Sequence, residues 1–484
     1  ETNSKVIVML TNLMENGKAK CEQYWPEPGC TLRCGSFEIQ LREENEKDSY
    51  ITRTLLVANE DADYKPRSIS QLHFTTWPDH GVPSSTTGFL RFYHHVKEVM
   101  ETVSGAPVTV HCSAGVGRTG TLIGFDILMA EMKKHKSVNV LETVVNMRKD
   151  RTLMVQTLEQ YIFLHKLLVE VHLFGSTDFK ATEINQKIEE MKRCRNKHGM
   201  NGFQVEFQNL ELIGPIDVAN EIAAQSCNAK FNRFPGILPY DRARLILPPI
   251  DQYQESAYYN GSMVTECPGF NGSVIAAQAP TPEQIEEFWH AVWYYDVTTI
   301  VMLTNLQENG KVKTQYWPIY AGQTDRHGAI SVELKHESDN IKSVIQRTIL
   351  ITQTDIRDNN TIMSQDMTEK QVTQLHFQDW HENGPNPSAD SILDLVRTLQ
   401  ETQTGNQGKV LVHCNDGAGR TGVLISVANL VERIKSENRI DVFRTVKDLR
   451  DMRPKMVTSE AQYQFIYEVC SKFVEGFATY DNFK

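Results

Sequence analysis

The ten residues His111–Gly120 read HCSAGVGRTG, and a near-copy, HCNDGAGRTG, spans His413–Gly422. Each follows an apolar run ending in Val-His and opens a segment with helical patterning. Within each, a cysteine and an arginine stand five small or flexible residues apart. Glycines let the backbone turn its N–H groups inward, and the start of a helix adds partial positive charge. A thiol placed there beside a guanidinium is a nucleophile in the floor of an anion cradle. The two loops differ inside, and their surroundings differ more.

The loops belong to an internal repeat. Ile7–Leu13 (IVMLTNL) recurs unchanged at Ile300–Leu306, ENGK at Glu15–Lys18 recurs at Glu308–Lys311, and QYWP at Gln23–Pro26 recurs at Gln315–Pro318. QLHF starts at both Gln71 and Gln374, and MVQTLEQY from Met154 becomes MVTSEAQY from Met456. Offsets stay within about 292–303 residues, so two homologous units in tandem are expected. A break in helical patterning at His172–Thr177 sets the boundary near Gly175, giving units 1–175 and 176–484. A charged linker helix, about Thr182–Cys194, is expected to open the second unit. Before its IVMLTNL string the second copy carries a segment of about ninety residues with no counterpart in the first. The chain starts inside a buried-strand pattern, so it reads as part of something longer, and the first unit is expected to fold poorly or work weakly as written.

Apolar, β-rich runs at Val6–Leu13, Ile51–Val57, Gln71–Phe74 and Val108–Val110 predict strands. Amphipathic runs at Gly88–Glu101, Thr119–His135, Val138–Arg148 and Thr157–Val171 predict helices. Together they predict an α/β fold, a central twisted mixed sheet flanked by helices, in two tandem copies. A chain of 484 residues exceeds what one core usually supports. The net charge of −11 argues against a nucleic-acid partner, which selects for a basic face. No run of 18 apolar residues suggests a membrane span. Nine cysteines without a paired zinc pattern fit reduced thiols in a cytosolic setting, and Cys30 with Cys34 reads as a surface loop. The Asn-Gly-Ser triplets at Asn260 and Asn271 are read as chance.

Taken alone, a Cys-x5-Arg spacing is common, but the strand–loop–helix context of Cys112 is not. A thiol beside a cation at a helix N-terminus drops from about 8.5 to roughly 3.5–7.5. Ser113, Ala114, Gly115, Val116 and Gly117 would line the cradle, and Gly115, Gly117 and Gly120 would let its backbone turn. Arg118 offers a planar fork to two phosphoryl oxygens, and Thr119 brings a hydroxyl near the sulfur. A leaving oxygen needs an acid, and Trp77-Pro78-Asp79-His80-Gly81 supplies a carboxylate on a loop with a stiff proline.

HCSAGVGRTG, TTWPDHGVP and MVQTLEQY, in this order and spacing, resemble the protein tyrosine phosphatases, and the tandem arrangement resembles the cytoplasmic region of receptor-type members. The resemblance covers almost the whole chain. It implies Cys112 as the nucleophile of a phosphocysteine intermediate, Arg118 as phosphate ligand and Asp79 as acid and then base. Gln156 would position the hydrolytic water with Gln160 as partner, and Glu15 and Lys20 would brace the arginine and the acid loop. His111 would help lower the thiol pKa. No metal or cofactor is implied. Phosphotyrosine proteins are the implied partners, with contacts between the two units or between two chains. The implied location is the cytoplasmic side of a single-pass plasma-membrane receptor.

In the second copy Cys414 and Arg420 remain, but the surrounding parts change. Asp416 replaces Ala114 and brings a carboxylate into or beside an anion site. The acid loop becomes Trp380-His381-Glu382-Asn383-Gly384, Thr458 replaces Gln156, and Asn232-Arg233-Phe234 resembles the family's specificity loop with phenylalanine for tyrosine. Misplacement by about 1 Å can cost a hundredfold in rate, so the second unit is expected to be near-inactive and structural or regulatory. Two other readings compete: a dual-specificity or lipid phosphatase, against which the Trp-Pro-Asp loop and the domain size count, and a pseudophosphatase scaffold that binds phosphoproteins.

Overall fold

A computed structural model describes residues 2–47, 49–59, 65–79, 81–83, 85–103, 105–212, 218–249, 258–308, 310–341, 343–353, 368–381 and 384–481. The chain divides into two compact units, Glu1–Ser176 and Thr177–Lys484.

In the first unit, Val6–Met9 lies parallel between Arg67–Phe74 and Val108–His111. An antiparallel meander, Arg67–Phe74, Tyr50–Asn59, Phe37–Glu46 and Thr31–Cys34, extends the sheet to its other edge. The mixed sheet was legible, but Phe37–Glu46 was not. Its sequence FEIQLREENE is mostly charged because the strand is largely solvated, so no apolar run marks it. Along Val6–Leu10 the period of two sorts the side chains. Val6, Val8 and Leu10 enter the core under the helices, whereas Met9 joins Trp25 and Leu55 on the other face.

The predicted helices form, with shifted ends: Thr86–Thr102, Gly117–His135, Val140–Asp150 and Leu158–Phe174. Side-chain caps explain several starts. Ser85, Asn139 and Thr157 each accept a backbone N–H of the first turn, and Thr157 forms a full capping box with Gln160. The helix after Cys112 has no side-chain cap. Its first N–H groups are thereby kept for the loop in front of it.

The second unit holds an eight-stranded sheet, and its cysteine strand, Lys409–Cys414, is paired in parallel on both sides, by Gly272–Gln278 and Val297–Met302. Among the described residues, Val108–His111 pairs with Val6–Met9 alone. Leu411, Val412 and His413 are accordingly buried, whereas Thr109 is exposed. Helix Ile285–Tyr294 adds Phe288 and Trp289 to a large core, whose Met302, Trp317 and Ile349 correspond to Met9, Trp25 and Leu55 of the much smaller cluster in the first unit. The expected linker helix is Ile184–Arg193, preceded by a short 3-10 turn at Ala181–Glu183, and a further helix, Gly202–Leu212, follows it. Both pack on the last helix, Glu460–Asp481, where Tyr463 and Tyr467 donate to the half-buried Glu206 at 2.7 Å each.

The acid loop is anchored from beneath. Trp77 is 2% exposed and meets Phe74, Phe89 and Phe163 edge to face, and its Nε1 donates to Gly81 O at 3.2 Å. Phe89 is fully buried against Phe74, Trp77, Phe125 and Phe163. Phe89→Ala is expected to cost about 3–5 kcal/mol of stability in urea unfolding; a loss below about 1 kcal/mol would contradict this packing.

Candidate active site

Cys112 directly follows the strand Val108–His111, and its side chain sits at the floor of the loop before Gly117–His135. Gly115 N donates to Cys112 Sγ at 3.3 Å. Gly115 has φ 69°, a conformation open to glycine without strain. Gly120 is needed for a different reason: a Cβ there would lie 2.4 Å from Val155 N. That contact brings the segment carrying Gln156 against the cysteine loop, and Val155 N donates to Val116 O at 3.1 Å.

The Cys112 thiol is held below the ordinary thiol value. Burial acts to raise it, but the Thr119 hydroxyl and the backbone N–H groups of Thr119, Gly115 and Val116 together outweigh burial. The buried Thr119 hydroxyl closes no hydrogen bond of normal geometry, so it acts on the sulfur as a nearby dipole. The His111 ring reaches elsewhere: Nε2 lies 2.8 Å from Tyr24 OH and Nδ1 3.2 Å from Cys112 O. Its contacts are therefore with the cysteine backbone, not the sulfur.

Arg118 is gripped by Glu15 through two bonds, Nη1 to Oε1 at 2.6 Å and Nη2 to Oε2 at 2.8 Å. Nη1 also donates to Leu10 O and Nη2 to Pro78 O, both at 3.1 Å. Glu15 is held below the usual carboxylate value. Burial opposes this, and the Arg118 bonds with the Asn12 N–H overcome it. Lys20 Nζ stands 2.7 Å from Asp79 Oδ1, and Asn16 Nδ2 donates to Asp79 Oδ2 at 2.8 Å. Mainly through Lys20, the Asp79 carboxyl is pulled down to about 2. Two carboxylates and two cations thus tie the loop after Leu13 to both the arginine and the acid loop. Gln160 Oε1 accepts the N–H groups of Gln156 and Thr157 at 2.9 and 3.3 Å, which fixes the turn that presents Gln156.

One residue that sequence reading missed completes the loop. Arg151 donates from Nε to Gly115 O at 2.8 Å and from Nη2 to Ala114 O at 3.1 Å. Pinning these carbonyls outward leaves the N–H groups of the loop facing inward. Its signal was available, because Arg151 and Arg453 precede the repeated Met-Val string in register. Tyr24, from the repeated QYWP string, was missed in the same way.

The second unit repeats the frame. Arg453, fully buried, donates to Gly417 O at 2.7 Å and Asp416 O at 3.1 Å, and reaches Asn260 Oδ1 and Ser262 Oγ. Asn260 is itself buried, so its sequon is closed to modification. Arg420 Nη1 donates to Glu308 Oε1 at 2.8 Å and Leu303 O at 2.7 Å. Lys313, the counterpart of Lys20, lies 3.8 Å from Glu308 Oε2. Glu382 lies outside the described residues. Thr458, in place of Gln156, donates its hydroxyl to Gln462 Oε1 at 3.1 Å and offers no amide group to the loop. Asn232 is fixed by Tyr258 and Asn260, while Phe234 remains exposed. The Cys414 thiol is pushed up to about 11, first by burial and then by the Asp416 charge.

A family model for protein-tyrosine phosphatases matches residues 1–170 and 228–472. The chain belongs to the protein tyrosine phosphatase family, a class of phosphoric monoester hydrolases. It is 37% identical over 491 residues to human receptor-type tyrosine-protein phosphatase epsilon, matching 100% of this chain and 68% of that protein. Human receptor-type tyrosine-protein phosphatase alpha is 36% identical over 492 residues, with 100% and 59% covered. Drosophila melanogaster tyrosine-protein phosphatase Lar is 34% identical over 486 residues, with 100% and 23% covered. The first two of these relatives are receptor-type by name; among the described residues no helix is long and apolar enough to cross a membrane.

Replacing Lys20 with methionine removes the main force on Asp79. Its carboxyl is expected to titrate nearer the ordinary range, about 4, in an NMR titration of side-chain-labelled aspartate. An unmoved midpoint would show that Lys20 does not hold it.

Proposed function

We propose that the first unit hydrolyses phosphotyrosine in proteins through a phosphocysteine intermediate, and that the second unit is regulatory. The reading rests chiefly on one contrast. Two cysteines in near-identical loops are driven in opposite directions, Cys112 toward the thiolate and Cys414 toward the thiol. Only the thiolate is a competent nucleophile.

In the proposed reaction the phosphoryl group sits on the N–H groups of Ser113–Gly117 and the Arg118 fork, which neutralise its oxygens. The Cys112 sulfur attacks phosphorus, a sulfur–phosphorus bond forms, and the bond to the phenolic oxygen breaks. Asp79 protonates that oxygen. At rest the Lys20 ion pair keeps Asp79 ionised. A phosphate dianion entering the cradle opposes a second negative charge beside it, and this favours the protonated acid. Water held by Gln156 then attacks phosphorus, Asp79 takes its proton, and the sulfur–phosphorus bond breaks to release inorganic phosphate. Gln160 and Glu15 act as positioning residues. With its receptor-type relatives in mind, we place both units on the cytoplasmic side of a single-pass plasma-membrane receptor.

A pseudophosphatase scaffold suits the second unit, where Thr458 stands in place of Gln156 and the thiol is held protonated. Substituting each cysteine by serine separates the readings. Cys112→Ser is expected to lower phosphotyrosine-peptide turnover by a factor on the order of 10⁴ or more, while Cys414→Ser leaves most of it. Loss of turnover with Cys414→Ser alone would reverse the assignment.

A further inference from the structure

The second loop has the same backbone as the first and different contents. Gly417 takes φ 66° where Gly115 takes 69°. Arg453 pins the carbonyls of residues 416 and 417 as Arg151 pins those of 114 and 115. Arg420 is held by Glu308 and Leu303 O as Arg118 is by Glu15 and Leu10 O. A collapsed loop is therefore not what separates the two sites.

The difference is a side chain. Asp416 stands where the first unit has Ala114, and its Oδ1 turns into the loop. It accepts the N–H of Ala418 at 2.8 Å, the N–H of Gly419 at 3.0 Å and the Cys414 S–H at 3.1 Å. These donors lie at the start of helix Gly419–Glu437, at the positions of Val116 and Gly117 in the first unit. They are the groups that would meet a phosphoryl oxygen. One carboxylate oxygen with three donors makes the contacts a bound anion would make.

We propose that Asp416 is an internal anion that occupies the phosphate cradle of the second unit, so that phosphate binds there only when this side chain is removed. The proposal rests on reading the Cys414–Arg420 loop as a phosphate cradle. An intramolecular ligand competes at an effective concentration of ~mM or above, so a weak external anion does not displace it. Asp416 also explains the state of Cys414. The thiol donates to the carboxylate, and the nearby negative charge adds to burial in raising its pKa, against the Thr421 hydroxyl at 3.1 Å. The second unit is thus closed by one substitution inside an otherwise preserved frame.

The test uses the full chain and reads each cysteine separately by mass spectrometry after iodoacetamide treatment, with Cys112 in the same molecule as reference. Asp416→Ala, which restores the residue of the first loop, is expected to speed alkylation of Cys414 by roughly tenfold or more. Inorganic phosphate is then expected to slow it, whereas in the unsubstituted protein phosphate leaves Cys414 unchanged. Asp416→Asn keeps the shape and the acceptor oxygen and is expected to give a smaller increase. Amide exchange at Ala418 and Gly419 should rise in Asp416→Ala and fall again with inorganic phosphate, which unfolding would not do. Unchanged Cys414 alkylation and unchanged exchange in Asp416→Ala would overturn the internal anion and leave the cradle reading standing. Faster alkylation without any phosphate protection would overturn the cradle reading, and the proposal with it.

Discussion

Two arginines, Arg151 and Arg453, hold the carbonyl groups of their cysteine loops by paired hydrogen bonds, and each site depends on that hold. A peptide group that presents its oxygen to a guanidinium presents its N–H to the other side. The loop becomes a concave array of donors before any ligand arrives, which is the preorganisation that anion stabilisation requires. Buried bonds to a charged donor, as at Arg453, contribute roughly 1.5–3 kcal/mol each, and the exposed ones of Arg151 less; both act on a glycine-rich loop that has little preference of its own. With the donors aimed inward, a nearby thiol sits in a positive field and a half-buried carboxylate can bind the same field. The first unit has the thiol alone there; the second has both.

The surroundings decide which outcome follows. In the first unit Glu15 bridges both guanidinium nitrogens, and Lys20 joins the same cluster to Asp79, so nucleophile loop, arginine and acid loop are mechanically one assembly. In the second, Lys313 lies near Glu308 and Thr458 is folded back on Gln462. Stability runs the other way. Lys409–Cys414 is paired on both sides and Arg453 is fully buried, whereas Arg151 is exposed. The better packed site is the one whose chemistry has been altered.

Much of this was legible in the sequence because the chemistry requires particular residue types. Cys112, Arg118, Asp79, Glu15, Lys20 and Gln160 stand in strings that repeat in register, and the structure brings them together as cluster and cradle. Arg151 escaped notice because it acts on backbone carbonyls, which leave no mark on residue identity. Phe37–Glu46 was missed because a solvated strand carries no apolar alternation, and Gly202–Leu212 because its core contacts reduce to Phe203 and Leu210. For Asp416 the sequence placed a negative charge in or beside an anion site. That it hydrogen-bonds the donors of its own loop depends on a side-chain direction that no pattern encodes.

One frame thus holds two cysteines in opposite states. The pH dependence of alkylation, read separately at Cys112 and Cys414 in the intact chain, tests it most directly. A Cys112 midpoint below that of an ordinary thiol and a Cys414 midpoint well above it, at about 11, are expected. Coincident midpoints, or the reverse order, would contradict it.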